Sequence, residues 1–128
     1  MPTRTELYEL VSNCCWVWTS SYNGTGKAGY RVYLAKSSLD KGELYNSDDV
    51  ELGLDDYSLS DTHIFLPITG YWSDGSLKSA DEYGVCWSSL NKGDNYAIAI
   101  AFNFSSGGWG FVPLFSRCTG LSVRAVCE

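Results

Sequence analysis

Catalysis needs a nucleophile, a proton carrier or a set of cation ligands, and this chain offers few of each. It has one histidine, His63, set just before the apolar run Ile64-Phe65-Leu66-Pro67. No Ser or Cys lies in a recognisable nucleophile motif around it, so a structural or surface imidazole is the default, although Ser–His–Asp sets assemble in space and not in sequence. The five cysteines are Cys14, Cys15, Cys86, Cys118 and Cys127. They contain no C-x-x-C pair, which gives zinc weak support. Their odd number leaves at least one thiol outside any intrachain disulfide, and their irregular spacing favours buried reduced cysteine. Adjacent Cys14 and Cys15 point to different sides of an extended segment, so at most one is buried on a given face. Cys86, beside Trp87 within a strand pattern, reads as packing and not as a reactive thiol. The paired acids Asp48-Asp49 and Asp55-Asp56 have oxygen ligands for calcium. EF-hand spacing is absent, however, and a solvated acidic loop is the plainer reading. There is no phosphate loop, dinucleotide fingerprint or H-E-x-x-H helix, and no sign of the paired-carboxylate cleft of a glycosidase. The residues therefore point to no catalytic set, metal or cofactor. Asn23-Gly24-Thr25 and Asn103-Phe104-Ser105 fit the glycosylation pattern, a short motif with a high chance rate.

Composition points to recognition. The length of 128 residues suits one domain with one substantial core. Hydrophobic residues make up 45%, a globular composition. Nine tyrosines and five tryptophans outnumber five phenylalanines. Such rings give large contact area with few torsions to freeze, although filling a core poor in Leu and Met would also use them. The net charge of −6, without clustered Lys and Arg, argues against a nucleic-acid surface. No run approaches the roughly 18 apolar residues of a membrane span, so no membrane insertion is expected. Met1-Pro2-Thr3 leads straight into a helical pattern with no signal peptide. The expectation is a protein that stays where it is made, or a segment of a longer one.

The elements that must position any site follow from periodicity. Residues 3–12 read as a helix: Thr3-Arg4-Thr5-Glu6 is a capping box, and Leu7, Leu10 and Val11 fall on one face. Cys15 to Thr19 and Gly29 to Leu34 read as a hairpin around the turn Asn23-Gly24-Thr25-Gly26. Residues 36–62 hold eight acids (Asp40, Glu43, Asp48, Asp49, Glu51, Asp55, Asp56 and Asp61) against Lys36 and Lys41, and read as a long acidic surface insertion with room for one short helix. Strand patterns resume at His63 to Pro67 and Tyr83 to Ser89. They are clearest from Tyr96 to Phe104, where Ala97, Ala99 and Ala101 alternate with Ile98, Ile100 and Phe102. The large apolar set then faces the core and the small set faces outward. Trp109 to Thr119 reads as irregular and ring-rich, and Leu121 to Val126 as a closing strand. With no βαβ rhythm, the class is α+β with an antiparallel sheet.

Several of these pieces, in order, resemble one family. Met1-Pro2-Thr3 with Glu6-Leu7 through Asn13-Cys14 is similar to an opening "LPT…E…EL…NC" helix, and Trp16-Val17-Trp18-Thr19 to its "TWTWT" strand. Ile64-Phe65-Leu66-Pro67 with Gly70-Tyr71 resembles "IFLPAAGY". Tyr83-Gly84-Val85-Cys86-Trp87-Ser88-Ser89, then Phe102-Asn103, Pro113, Arg117 and Gly120-Leu121-Ser122-Val123-Arg124, resembles "GYYWSS…F…P…R..GFSVR". This is the pattern of the Fibrobacter succinogenes major paralogous domain, shared by the variable proteins of diversity-generating retroelements in gut Bacteroidetes and their phages. It covers most of the chain except residues 36–62.

The resemblance implies a C-type lectin-like fold without the calcium-dependent sugar site, with one or two helices, twisted antiparallel sheets and long loops. In retroelement proteins, rewritten codons in the C-terminal stretch supply side chains that choose the ligand over a fixed framework. Carried onto this chain, residues 1–128 form one domain with a variable region at about 85–120. Trp87, Ser88, Ile100, Phe102, Gly120, Val123 and Arg124 would be framework. Leu90, Asn91, Ala99, Ala101, Trp109, Phe111, Leu114, Phe115, Ser116, Cys118 and Thr119 would form the recognition surface. Independently, Trp109-Gly110-Phe111 and Leu114-Phe115 are too apolar for an ordinary loop, and large exposed apolar groups mark contact sites. Inward folding of Phe111 and Phe115 onto the sheet is the alternative.

The expected partner is a protein or glycan on a cell or phage surface, bound without catalysis at the cell surface or outside the cell. Two departures bear on this. The 36–62 insertion is longer and more acidic than the family's hairpin connection. This sequence starts at the "LPT" helix, so the family's further N-terminal strand would be absent or trimmed, and an unpaired edge at 121–126 would then invite association with another chain. A fixed structural or adhesive surface domain of the same fold is one alternative. An enzyme related to the formylglycine-generating fold, built on a reactive cysteine pair or metal, is the other.

Overall fold

A computed structural model describes residues 2–45, 57, 61–91, 96–103, 108–116 and 120, with residues 90–116 described through their backbone. The class is α+β: among the described residues there is one α-helix, together with mixed and antiparallel sheets. Contacts group the chain into two compact units, residues 9–67 and residues 1–8 with 68–128.

Helix α1 spans Arg4–Asn13, one residue later than its pattern suggests. Its start is the reciprocal box expected from Thr3 and Glu6. The Glu6 amide donates to Thr3 Oγ1 at 3.2 Å, and the Thr3 amide and hydroxyl donate to Glu6 Oε2 at 2.6 and 2.8 Å. The donors left over at a helix start are thus used, and the bonds to Thr3 hold the Glu6 carboxyl below its ordinary range. Leu7 and Val11 are buried, while Tyr8 between them is exposed, so the apolar stripe is narrow.

In the 9–67 unit the chain passes directly from α1 into β1 (Cys14–Thr19). A 3-10 turn at Tyr22–Gly24 returns it along β2 (Gly29–Leu34). The β1–β2 register runs antiparallel from Cys14 opposite Leu34 to Thr19 opposite Gly29. Strand β4 (His63–Pro67) adds antiparallel to β2, and the order is β3-β1-β2-β4.

Alternation divides this sheet into two faces. On one lie Trp16, Trp18, Tyr30, Val32 and Leu66, all buried. Trp18 pairs with Tyr30 across the ladder, and both tryptophans meet Tyr30 edge to face at 5.8 and 5.4 Å. The Trp16 indole N–H donates to the Leu10 carbonyl at 3.2 Å, satisfying the one polar atom of a fully buried ring. On the other face Cys15, Val17 and Tyr33 form a cluster that Tyr45 and Tyr57 cover. Gly29 stands where no side chain fits. A Cβ there would lie 2.3 Å from the Leu66 carbonyl oxygen and 2.7 Å from the Phe65 ring.

The acid-rich stretch contributes more than a surface loop. Leu44–Tyr45 forms β3, parallel to β1 with Leu44 opposite Trp16, and the Trp16 amide donates to the Glu43 carbonyl at 2.9 Å. The sheet is therefore mixed and not purely antiparallel. The reason is geometric: β2 ends beside the start of β1, so a chain that reverses over residues 36–42 must run in the direction of β1. The rest of that stretch, residues 46–56 and 58–60, lies outside the described set.

In the other unit, Tyr71–Ser73 and Ser76–Lys78 form a hairpin, β5 and β6. Asp74 and Gly75 at its turn both have positive φ, 52° and 73°, the twist-matched geometry of a two-residue loop. Three longer strands follow: β7 (Tyr83–Asn91), β8 (Tyr96–Asn103) and β9 (Gly108–Ser116), paired antiparallel in that order. The stretch from Trp109, expected to be irregular, is a strand through Ser116. Gly108, Gly110 and Pro113 hide its alternation, but antiparallel pairing with β8 holds it. The closing strand expected at 121–126 lies outside the described residues.

Gly29→Ala should destabilise the chain by roughly 1–3 kcal/mol, the usual cost of forced overpacking. A urea melt checks this. An unchanged midpoint would mean the β2–β4 spacing is looser than the register implies.

Candidate functional site

The expected recognition residues fall on the three-stranded sheet, and its register sorts them. Residues directly opposite one another share a side of an antiparallel ladder. One row set runs Gly84–Phe102–Trp109 and Cys86–Ile100–Phe111. The other runs Val85–Ala101–Gly110 and Trp87–Ala99–Val112. Both ladders shift register further along, between Trp87 and Asn91 on β7 and between Ala97 and Ala99 on β8. Beyond the shift, Asn91 and Phe115 both stand opposite Ala97. Asn91, Ala99, Ala101 and Phe115 therefore share one side. Trp109 and Phe111 share the other with the expected framework positions Ile100 and Phe102, and Ser116, opposite Tyr96, goes with them. Leu90 and Leu114 lie within the irregular stretches. Cys118 and Thr119, with Val123 and Arg124 of the framework, lie outside the described residues.

Burial along β7 distinguishes the two sides. Gly84 and Cys86, in register with the Trp109 and Phe111 side, are both buried. On the opposite side Val85 is buried, and Tyr83 and Trp87 are half-buried. The Asn91–Ala99–Ala101–Phe115 side is thus the more open one along the strand where exposure can be read. Sequence reasoning grouped the two sets because a shift of one residue in one strand exchanges sides without any mark in composition.

His63 is held structurally. Its Nδ1 lies 2.8 Å from the Asp61 carbonyl oxygen and its Nε2 lies 3.1 Å from the Tyr22 hydroxyl. A carbonyl only accepts, so Nδ1 carries the proton in the neutral ring, and Nε2 accepts from Tyr22. Tyr22 stacks on Phe65 at 4.0 Å, and Tyr33 packs against the imidazole at 5.0 Å. Both ring nitrogens are engaged, Nδ1 by a backbone carbonyl and Nε2 by the Tyr22 phenol. The buried Arg31 guanidinium lies 5.3 Å from the Tyr22 ring centre and donates to Asn23 Oδ1 at 3.3 Å.

A second polar knot surrounds Tyr57, beside an open depression of about 220 Å³ lined by Tyr33, Leu34, Lys36, Tyr57 and Asp61 among others. The Lys36 amide donates to the Tyr57 hydroxyl at 2.8 Å, and that hydroxyl donates to Asp40 Oδ2 at 3.0 Å. Lys36 Nζ pairs with Asp61 at 2.9 Å and lies 4.8 Å from the Tyr57 ring centre. Desolvation, with Asp40 close by, pushes the Tyr57 phenol up to about 12. Sequence reasoning missed this knot. Its only signal was a tyrosine amid acids, which reads as solvated until the sheet face beneath it is known.

The paired cysteines divide as strand geometry requires: Cys15 is fully buried and Cys14 half-buried, and both are free thiols. Desolvation, reinforced by Asp40 and Glu43, pushes the Cys15 thiol up to about 12, which removes its nucleophilic form at neutral pH.

Iodoacetamide at pH 8 should label Cys14 well before Cys15, with Cys15 reacting only after denaturation. Peptide mapping reads the order, and early Cys15 labelling would contradict its burial. Tyr57 makes a linked prediction. Its folded phenol titrates above the ordinary 10.0, so its stabilising contribution is complete below pH 10 and is lost as pH rises through about 12. Melts of wild type and Tyr57→Phe across that alkaline range should converge, and a constant gap would exclude the linkage. In comparisons with protein-family models, curated proteins and solved structures, nothing matches this chain.

Proposed function

We propose that the chain is a non-catalytic ligand-binding module of C-type lectin-like fold, presenting the β7–β8–β9 sheet to a protein or glycan on a cell or phage surface. The observation that carries this reading is the register. Three adjacent strands bring together every expected recognition position from Leu90 to Ser116. Asn91, Ala99, Ala101 and Phe115 share the more open side. Small residues beside one large ring suit such a face, because a hot spot is an anchor surrounded by contacts that exclude water. The two register shifts support it further, since bulges recur where a sheet must re-aim side chains. Trp109 and Phe111 act in this reading as support beneath the face. The sequence resemblance to retroelement variable proteins adds the view that these positions vary between copies.

The division of labour is testable with single substitutions on protein and glycan arrays. Phe115→Ala should weaken binding by about tenfold or more while leaving the melting temperature nearly unchanged. Trp109→Ala should instead lower the melting temperature, because in this reading its ring supports the sheet. Array binding that survives Phe115→Ala together with Asn91→Ala would sink the reading. Loss of binding by Trp109→Ala at unchanged stability would move the face to the other side of the sheet.

A further inference from the structure

The β5–β6 hairpin carries an apolar ridge that folding alone does not require. Trp72 and Leu77 stand directly opposite each other, and they remain 51% and 52% exposed. They form a pair on one side of a two-stranded ribbon, so their surfaces adjoin. The ribbon is fixed at three points. Its turn is built by the positive φ of Asp74 and Gly75. The Trp72 amide donates to the Gly120 carbonyl at 2.8 Å, and the Gly120 amide donates to the Trp72 carbonyl at 2.7 Å. The Gly70 amide donates to the Tyr83 carbonyl at 2.6 Å, tying the hairpin base to β7. Gly120 is itself fitted to the ring, since a Cβ there would lie 2.8 Å from Trp72 Cβ. A large, half-exposed ring on a clamped backbone loses little entropy on binding.

We propose that Trp72 and Leu77 are a fixed anchor of the binding module that takes an apolar side chain flanked by basic residues in a protein ligand. This deepens the reading above and rests on it. Gly120 follows Cys118 and Thr119 directly in the chain, so the clamp ties the ridge to the end of the expected recognition stretch. Among the described residues, the charges next to the hairpin in the chain are mainly acidic: Asp74 lies at the turn, and exposed Asp81 and Glu82 follow β6. Lys78 stands opposite Tyr71, on the other side of the ribbon from Leu77. Exposed acids at the turn of the hairpin and just past its end suit Lys or Arg in a ligand through charge, and the indole face attracts the same cations. A glycan fits less well. A sugar stacked on Trp72 needs polar partners on the same side, but the paired Ser73 and Ser76 stand on the other side of the ribbon from Trp72 and Leu77. The branched Leu77 offers a hydroxylated ligand nothing. Two side chains are also far too small a patch for a stable dimer, which buries on the order of 1,200 Å² or more.

The test is a titration of the isotope-labelled chain, with the Trp72 indole N–H assigned through Trp72→Phe and the Leu77 methyls through Leu77→Val. The probes are the blocked peptides acetyl-Arg-Leu-Phe-Arg-amide and acetyl-Glu-Leu-Phe-Glu-amide, and the disaccharide cellobiose. The basic peptide should move both sets of signals saturably and bind about tenfold tighter than the acidic one. Leu77→Ala, with the hairpin amide signals confirming its fold, should weaken it by about fivefold to tenfold. Equal response to the acidic peptide, a stronger response to cellobiose, concentration-dependent shifts of the chain alone, or no shift at Trp72 would each overturn the proposal. Because the readout is local to the hairpin, a silent titration alongside Phe115-dependent array binding removes the anchor only. Loss of the array result alone removes the face.

Discussion

Strand β1 is buried on both faces, and that constraint organises the 9–67 unit. From Cys15 to Thr19 every residue is buried, so the usual half-wet sheet is not open to it. One side must receive Trp16 and Trp18, and the turn of α1 that ends at Leu10 supplies the carbonyl for the Trp16 indole. The other side must cover Cys15 and Val17, and the acid-rich stretch returns across it to place Tyr45 and Tyr57. The short parallel strand β3, the Tyr57–Asp40 bond and the Lys36–Asp61 pair all follow from the need to close that second face.

Much of this architecture was legible in the residues. The capping box, the β1–β2 hairpin and the strands at His63, Tyr83 and Tyr96 declare themselves through periodicity and turn chemistry, and each appears within a residue or two of its pattern. What escaped had weak local signals. A two-residue strand such as Leu44–Tyr45 has no period to detect. Strand β9 is interrupted by Gly110 and Pro113, and its pairing comes from β8 and not from its own alternation. The tyrosines of the acidic stretch read as solvated because their burial depends on a sheet face far from them in the chain.

The candidate site was legible as a set but not as a surface. Residue types marked out the ring-rich stretch from Trp109 to Phe115, and the strands carry it as a contiguous part of one sheet. Which of those residues share a side depends on where each ladder slips, and that is a property of pairing. Trp109 and Phe115 look equivalent in the chain, yet their partners Phe102 and Ala97 belong to opposite sides.

The slip in the β8–β9 ladder has a consequence for how such a protein changes over time. Val112 stands opposite Ala99 and Phe115 opposite Ala97, so β9 spends three steps where β8 spends two. Losing Pro113 or Leu114 from that interval would let the ladder close regularly with Phe115 still opposite Ala97. Loss of a single codon there would shorten the strand without moving its ring, a tolerance to change in length that the regular part of the ladder does not have.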